Sequence, residues 1–309
     1  MVVAEHRRTE LAAVELARRV PDAVVKALEP MARHTTFRIG GPADVFVQPQ
    51  RFDHLCEVIR FGRERGLPVK VIGNGSNLLV GDRGIRGIVI RLAPNFSETR
   101  WLEDGVIAGG GARLGKVIKD AAEAELSGLE SMVGIPGTIG GALAMNAGTD
   151  TGCIGDLVVC ATVVENGGEV REWDQAQLVY RYRHSTICAM KAIVLSAHLK
   201  LRPAPEEEIR AKMERLRQKR AGRQPLTAWS AGSAFRNPLG VAAGKVLDRA
   251  GAKGMRVGDA QVSSKHANFL INRGRATADQ MKELIERTHA LALRRYGIDL
   301  EPEIEMVGE

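Results

Sequence analysis

The stretch VGIPGTIGGALAMNAG, residues 133–148, carries five glycines in sixteen positions. Glycine lets the main chain take up positive φ and approach a ligand without a Cβ clash, so consecutive N–H groups can form a concave nest for phosphate oxygens. Taken alone, one such cluster reads as a tight turn or a bulge. Working outward, the grouping recurs in IGNGSNLLVGDRG, residues 72–84, and in AGGGARLG, residues 108–115. Three clusters in one chain point to a diphosphate-bearing guest, and Ser76 and Asn77 add side-chain donors that a simple turn does not require.

Two familiar phosphate motifs are tested by these clusters and both fail. A dinucleotide fingerprint would need glycine where Leu78 stands, a residue too bulky for the close helix–strand packing of that motif. The run from Gly110 to Lys116 has the spacing of a P-loop and lies between a strand and a helix, but Val117 follows where the magnesium-binding hydroxyl belongs. The segment LGVAAGKV near Gly240 fails on spacing as well. A nonenzymatic ATP-binding module therefore stands only as an alternative.

At 309 residues the chain has room for two or three domains and a cleft between them. Its 44% hydrophobic and 26% charged residues are globular averages, and no apolar run is long enough to span a bilayer, so a soluble protein is expected. The start, MVVAEHRRTE, puts charges where a signal peptide needs its apolar region and argues against export. Cys56, Cys153, Cys160 and Cys188 show no CxxC spacing and read as reduced core thiols. Cytoplasmic location follows as an expectation, and it makes the sequon Asn95-Phe96-Ser97 irrelevant.

The net charge of +7 is densest in EEEIRAKMERLRQKRAGR, residues 206–223. Acids come first and bases last, as a helix dipole favours, and Ile209, Met213 and Leu216 form one apolar stripe, so the segment reads as a half-exposed helix. Aromatics amount to 4% and do not interleave the bases, so nucleic acid is not expected and anionic small molecules are.

Apolar positions at helical spacing from Leu11 to Leu28, broken at Pro21, predict a helical N-terminal arm. Strands are expected at VKVIG, GIVIRL, VIAGG, LVVCATVVE, AIVLSAHLKL and NFLIN, with helices at LCEVIRFGRERG, LGKVIKDAAEAE, GVAAGKVLDRAG and from Thr277 to Tyr296. Pro203 and Pro205 mark a linker. The division expected is an arm at 1–33, a glycine-laden domain at 34–202 with a subdomain boundary near 93–105, and a smaller C-terminal domain at 203–309.

In order along nearly the whole chain, HTTFRIGGPAD, GNGSNLLVGDRG, GLESMVGIPGTIGGALAMNAG, YRHS, AGSAFRNP, VSSKHANFLIN and LEPEIEMV resemble the UDP-N-acetylenolpyruvoylglucosamine reductases. The resemblance implies an α+β fold: an FAD-binding domain of the vanillyl-alcohol-oxidase (PCMH) type in two subdomains, followed by a smaller α+β substrate domain. It also implies NADPH-dependent reduction, through bound FAD, of an enolpyruvyl UDP-sugar in peptidoglycan precursor synthesis. FAD contacts would fall on Gly73, Asn74, Gly75, Ser76 and Asn77, on Ile135, Pro136, Gly137 and Thr138 with Gly140 and Gly141, and on Gly152 and Gly155. Catalysis would fall to Arg183, Ser233 and Glu303, with Tyr182, Arg223, Asn237 and His266 at the substrate. No metal, membrane or nucleic-acid partner is implied, and a monomer is expected. The passage from Ser185 straight to the strand at Ala192 leaves no room for the tyrosine-bearing loop of some members, so the chain is similar to the shorter second type. Another FAD enzyme of the same fold, such as an oxidase, is the nearer alternative.

The implied chemistry suits these residue types. Reducing an enolpyruvyl group drives negative charge onto its carboxylate, where the planar, permanently charged fork of Arg183 can pair bidentately. Ser233 would protonate the adjacent carbon, and a neighbour must then restore its proton. In LEPEIEMV the acids Glu301, Glu303 and Glu305 alternate with Pro302, Ile304 and Met306, which predicts one strand face bearing three carboxylates; such a face is usually solvated, and if it borders the flavin pocket, mutual repulsion and desolvation raise at least one pKa.

Overall fold

The computed structural model describes residues 2–309, with side chains from Arg7 onward. Met1 of the expected arm, and the side chains of MVVAEH that argued against export, lie outside the described residues. The chain forms two compact, discontinuous units: Met1–Ala27, Val45–Asn74 and Gly87–Lys219 make the first, and Leu28–Asp44, Gly75–Arg86 and Arg220–Glu309 the second.

In the first unit, five antiparallel strands run in the order Val170–Asp174, Val158–Val164, Ile193–Lys200, Gly105–Gly109, Thr99–Leu102. The helix Leu114–Glu123 buries Leu114, Val117, Ile118 and Ala121, the i, i+3, i+4, i+7 stripe that its sequence spells, into the core of that sheet. Each of its larger side chains contributes about 1.5–3 kcal/mol on burial. A second sheet runs Val24–Pro30, Pro42–Gln48, Ile85–Arg91, Val69–Ile72, the last two strands parallel. Leu16 and Val20 join Leu55, Val58 and Phe61 of the helix Phe52–Arg65 in its core. That helix stops at Gly66, whose left-handed φ of 61° closes it with backbone bonds to Gly62 and Arg63. The N-terminal helix is Val2–Arg19, and the Val24–Leu28 part of the expected arm is strand, because β-branched valines resume only after the turn at Pro21 and Asp22.

In the second unit the helix Ala278–Tyr296 packs Met281, Leu284 and Ile285 against Phe37, Phe235 and Leu247. Thr277 caps it in a capping box with Gln280, and the Asp82 carboxylate accepts from the N–H groups of Ala278 and Asp279 at 2.8 and 3.0 Å. Antiparallel strands Arg256–Val257, Ala260–Val262 and Leu270–Asn272 form one sheet, and Glu305–Val307 pairs in parallel with Leu78–Val80.

Two further expectations are corrected. The carboxylates of LEPEIEMV do not share one strand: Pro302, lacking an N–H, makes an isolated bridge with Phe235, and the ladder begins only at Glu305. Glu301, 65% exposed, pairs with Arg236 at 2.8 Å, so Glu303 alone of the three is half-buried. The cysteines are not core thiols, since Cys56, Cys153 and Cys160 are half-buried and Cys188 is exposed. Among the described residues no helix is long and apolar enough to cross a membrane.

Candidate active site

The first unit holds a cavity of about 570 Å³, within the range of cofactor sites, walled by segments that the glycine clusters bring together. Of the residues expected at the cofactor, Gly73, Asn74, Thr138, Gly140 and Gly141 line it, while Ile135, Pro136, Gly137, Gly152 and Gly155 lie outside that lining. Gly75, Ser76 and Asn77 belong to the second unit. There a Cβ on Gly75 would stand 2.0 Å from the carbonyl oxygen of His34, and Asn77 donates its side-chain amide to the Glu303 carbonyl at 3.0 Å.

The glycines turn out to serve backbone packing more than a nest of free amides. Segments 110–114 and 137–140 are zipped together: the N–H groups of Ile139 and Gly140 donate to Ala112 and Gly110, each at 2.8 Å, and Leu114 donates to Gly137 at 3.1 Å. Gly141 donates to the Thr138 hydroxyl, the N-cap of the short helix Ile139–Ala144. A Cβ on Gly110 would fall 1.9 Å from the Val194 carbonyl oxygen, so the near P-loop owes its glycine to a neighbouring strand. With those amides engaged, the positive charge on the cavity wall comes from Arg91, Arg113 and Lys116, the last of them ion-paired with Asp120 of the same wall. Burial, and then the neighbouring Arg113, push the Arg91 guanidinium below the ordinary arginine range. Two like charges held together beside a wall in which Gly73, Gly110, Gly111, Gly140 and Gly141 keep side chains out of the way are what a diphosphate would neutralise, so these residues fit a flavin dinucleotide. None of the three cations was singled out for the cofactor from sequence; the P-loop spacing around Arg113 and Lys116 was the available signal.

Arg183 sits at a hairpin tip between strands Tyr180–Arg181 and His184–Ser185, in a left-handed conformation with φ of 55°. Its guanidinium lies 5.0 Å from the centre of the exposed Tyr182 ring and donates to the Gly148 carbonyl at 3.4 Å. In the second unit, Ser233 and Glu303 come from distant sequence onto adjoining segments. The Glu303 N–H donates to the Ala234 carbonyl at 2.8 Å, and Ser233 bridges to Phe269 on the other side. Buried Asn268 clamps this segment from both ends of its amide, accepting from Phe235 N–H at 2.9 Å and donating to Phe235 carbonyl at 2.8 Å. The serine is therefore carried on a rigid stretch. Asn237 is exposed and accepts from the Ala243 N–H at 3.0 Å, which starts the helix Ala243–Arg249. Arg223 is exposed at the end of the helix Glu206–Arg223. His266 stacks edge-on against Phe269 at 5.0 Å and accepts at Nδ1 from the Asn268 N–H, so its neutral ring carries the proton on Nε2. Burial, and then Lys253, hold it below the usual histidine value, against an opposing pull from Asp248.

Residues 224–307 match the family model of the UDP-N-acetylenolpyruvoylglucosamine reductase C-terminal domain, and residues 43–174 that of an FAD binding domain. The chain is 46% identical over 293 residues to the UDP-N-acetylenolpyruvoylglucosamine reductase of Agathobacter rectalis, covering 91% of this chain and 93% of that protein. It belongs to the UDP-N-acetylenolpyruvoylglucosamine reductase family. The reductase of Moorella thermoacetica is 44% identical over 281 residues, 91% of this chain and 92% of its own length. The crystal structure of the reductase from Thermus caldophilus superposes with a TM-score of 0.80 at 37% identity, covering 93% of this chain and 99% of that one. Membership in this reductase family agrees with the vanillyl-alcohol-oxidase type of FAD-binding fold and the smaller C-terminal α+β domain expected from sequence.

Proposed function

We propose that this protein is the NADPH-dependent flavoenzyme that reduces the enolpyruvyl group of UDP-N-acetylglucosamine enolpyruvate to UDP-N-acetylmuramate, a step of peptidoglycan precursor synthesis. What carries this is kinship along 91% of the chain with a reductase of that name at 46% identity. FAD, when bound, would supply the redox chemistry that carries reducing equivalents from NADPH to the enolpyruvyl double bond. Gly73, Asn74, Thr138, Gly140 and Gly141 would form the wall against it, with Arg91, Arg113 and Lys116 facing its diphosphate.

The chain's own groups divide the remaining work. Arg183 pairs with the substrate carboxylate and stabilises the charge that develops there, a task worth about 3 kcal/mol for a single preorganised donor. Ser233 donates its hydroxyl proton to the adjacent carbon, and the half-buried Glu303, on the segment hydrogen-bonded to that of the serine, is the neighbour that steadies the transfer. Tyr182, Arg223, Asn237 and His266 border the UDP-sugar. The protein acts in the cytoplasm as a monomer on a UDP-sugar and NADPH, without nucleic-acid or membrane partners; the anionic character of both small molecules suits the net charge of +7.

The test separates the two half-reactions by stopped flow. Ser233→Ala is expected to leave flavin reduction by NADPH intact and slow reoxidation by the enolpyruvyl substrate by about a hundredfold or more. Equal slowing of both halves would remove Ser233 from the role of proton donor. Rapid reoxidation by oxygen in place of the enolpyruvyl sugar would favour the oxidase alternative.

A further inference from the structure

The turn that follows the helix Ile139–Ala144 grips the Arg183 hairpin at three points. Ser185 Oγ donates to the Ala144 carbonyl at 2.7 Å, Asn146 Nδ2 donates to the Arg181 carbonyl at 3.0 Å, and Arg183 donates to the Gly148 carbonyl at 3.4 Å. Asn146 is the centre of this grip. It is 6% exposed and left-handed, with φ of 44°, in the place after a helix end where glycine is the usual choice. Asparagine tolerates that backbone, but a side chain kept there in preference to glycine must have a use. Both ends of its amide are engaged: Nδ2 holds the Arg181 carbonyl, and Oδ1 accepts from the Gly155 N–H at 3.0 Å. One planar group therefore ties the hairpin to the 152–155 loop, and neither bond tolerates loss of its partner in a buried setting.

We infer that Asn146 is a positioning residue, which sets the placement of the Arg183 guanidinium by fixing the Arg181 carbonyl two residues before it. The inference rests on the assignment of Arg183 to the substrate carboxylate. Arg183 is itself in a left-handed conformation at the tip of a two-residue turn, a state that L side chains hold only under restraint. Freed from Asn146, the hairpin can relax and withdraw the fork from its line of attack.

Asn146→Asp discriminates between the two arms, because a carboxylate still accepts from the Gly155 N–H but repels the Arg181 carbonyl. In the flavin-loaded enzyme it should lower kcat for the enolpyruvyl substrate by on the order of ten- to hundredfold, as displacement of a catalytic group by an ångström does. Flavin content and the rate of flavin reduction by NADPH should stay unchanged, and calorimetric affinity for UDP-N-acetylmuramate should weaken in parallel with kcat. In an Arg183→Ala background the same substitution should cost nothing further. Equal damage to both half-reactions, or an undiminished effect in the Arg183→Ala background, would overturn the positioning role. Wild-type turnover by Arg183→Ala alone would overturn the assignment of Arg183 and this inference with it. Should Asn146→Asp fold poorly, Asn146→Gly keeps the left-handed backbone, removes both bonds, and must show the same dependence on Arg183.

Discussion

Replacing Gly73 by alanine tests whether the cavity wall is built as its packing indicates. A Cβ at this position would lie 2.7 Å from the Thr138 hydroxyl, about 0.7 Å inside ordinary van der Waals contact, which begins near 3.4 Å. The hydroxyl can yield only by leaving the Gly141 N–H that it caps at 3.2 Å. Losing that cap costs about 1 kcal/mol, and overpacking that stays unrelieved costs about 1–3 kcal/mol. A net destabilisation of about 2 kcal/mol is therefore expected. It should read as a fall in Tm of roughly 4–8 °C, together with loss of flavin on gel filtration, because both residues face the cavity. Two controls set the scale. At Gly141 the added Cβ meets the same hydroxyl at 3.5 Å, an ordinary contact, so Gly141→Ala should leave Tm nearly unchanged and act on flavin affinity alone. At Gly115, inside the helix Leu114–Glu123, a Cβ meets nothing within 4 Å, and alanine should stabilise by about 0.5–1 kcal/mol. Wild-type Tm and full flavin retention in Gly73→Ala, with these controls behaving as stated, would refute the account of the wall.

Two titrating groups give further tests. His266 is held below its ordinary value of 6.5, so the unfolded chain takes up its proton more readily than the folded one. Its contribution to stability is present above about pH 6.5 and is lost as the pH falls below it, and His266→Gln should flatten the fall in urea-unfolding stability over that range. Burial would push the Glu130 carboxyl up, but the Ser127 hydroxyl, backbone donation including the Gly128 N–H, and Lys212 together bring it below the usual carboxylate range. Its contribution is present above the ordinary carboxylate value and is lost as the pH drops through the lowered one. Glu130→Ala should cost about 2–3 kcal/mol by stranding buried donors, whereas Lys212→Ala, at a half-exposed partner, should cost under about 1 kcal/mol. Equal costs for the two would show that the ion pair, and not the buried hydrogen bonds, carries the energy.

Local periodicity was legible without coordinates, because it depends on neighbours a few residues apart. The helices Leu114–Glu123 and Ala278–Tyr296 lie where the spacing put them, and the structure adds Thr277 as the cap of the second. The family was legible too, since long motifs in a fixed order leave few alternatives. The glycine clusters pointed to the right walls for an incomplete reason. Gly110 answers the Val194 carbonyl and Gly73 the Thr138 hydroxyl, contacts between residues far apart in sequence, while Arg91, Arg113 and Lys116 bring the positive charge. Sequence by itself determined the strongly periodic helices, that the chain is a flavin-dependent reductase, and that Arg183, Ser233 and Glu303 are chemically suited to it. Only the tertiary structure decided that Leu28–Asp44 and Gly75–Arg86 join the C-terminal segment, that Glu303 is half-buried while the exposed Glu301 pairs with Arg236, and that Asn146 holds the arginine hairpin. The physical reason is range: propensity and periodicity act over one or two turns of chain, whereas burial, hydrogen-bond partners and left-handed strain are set by whatever the fold brings alongside.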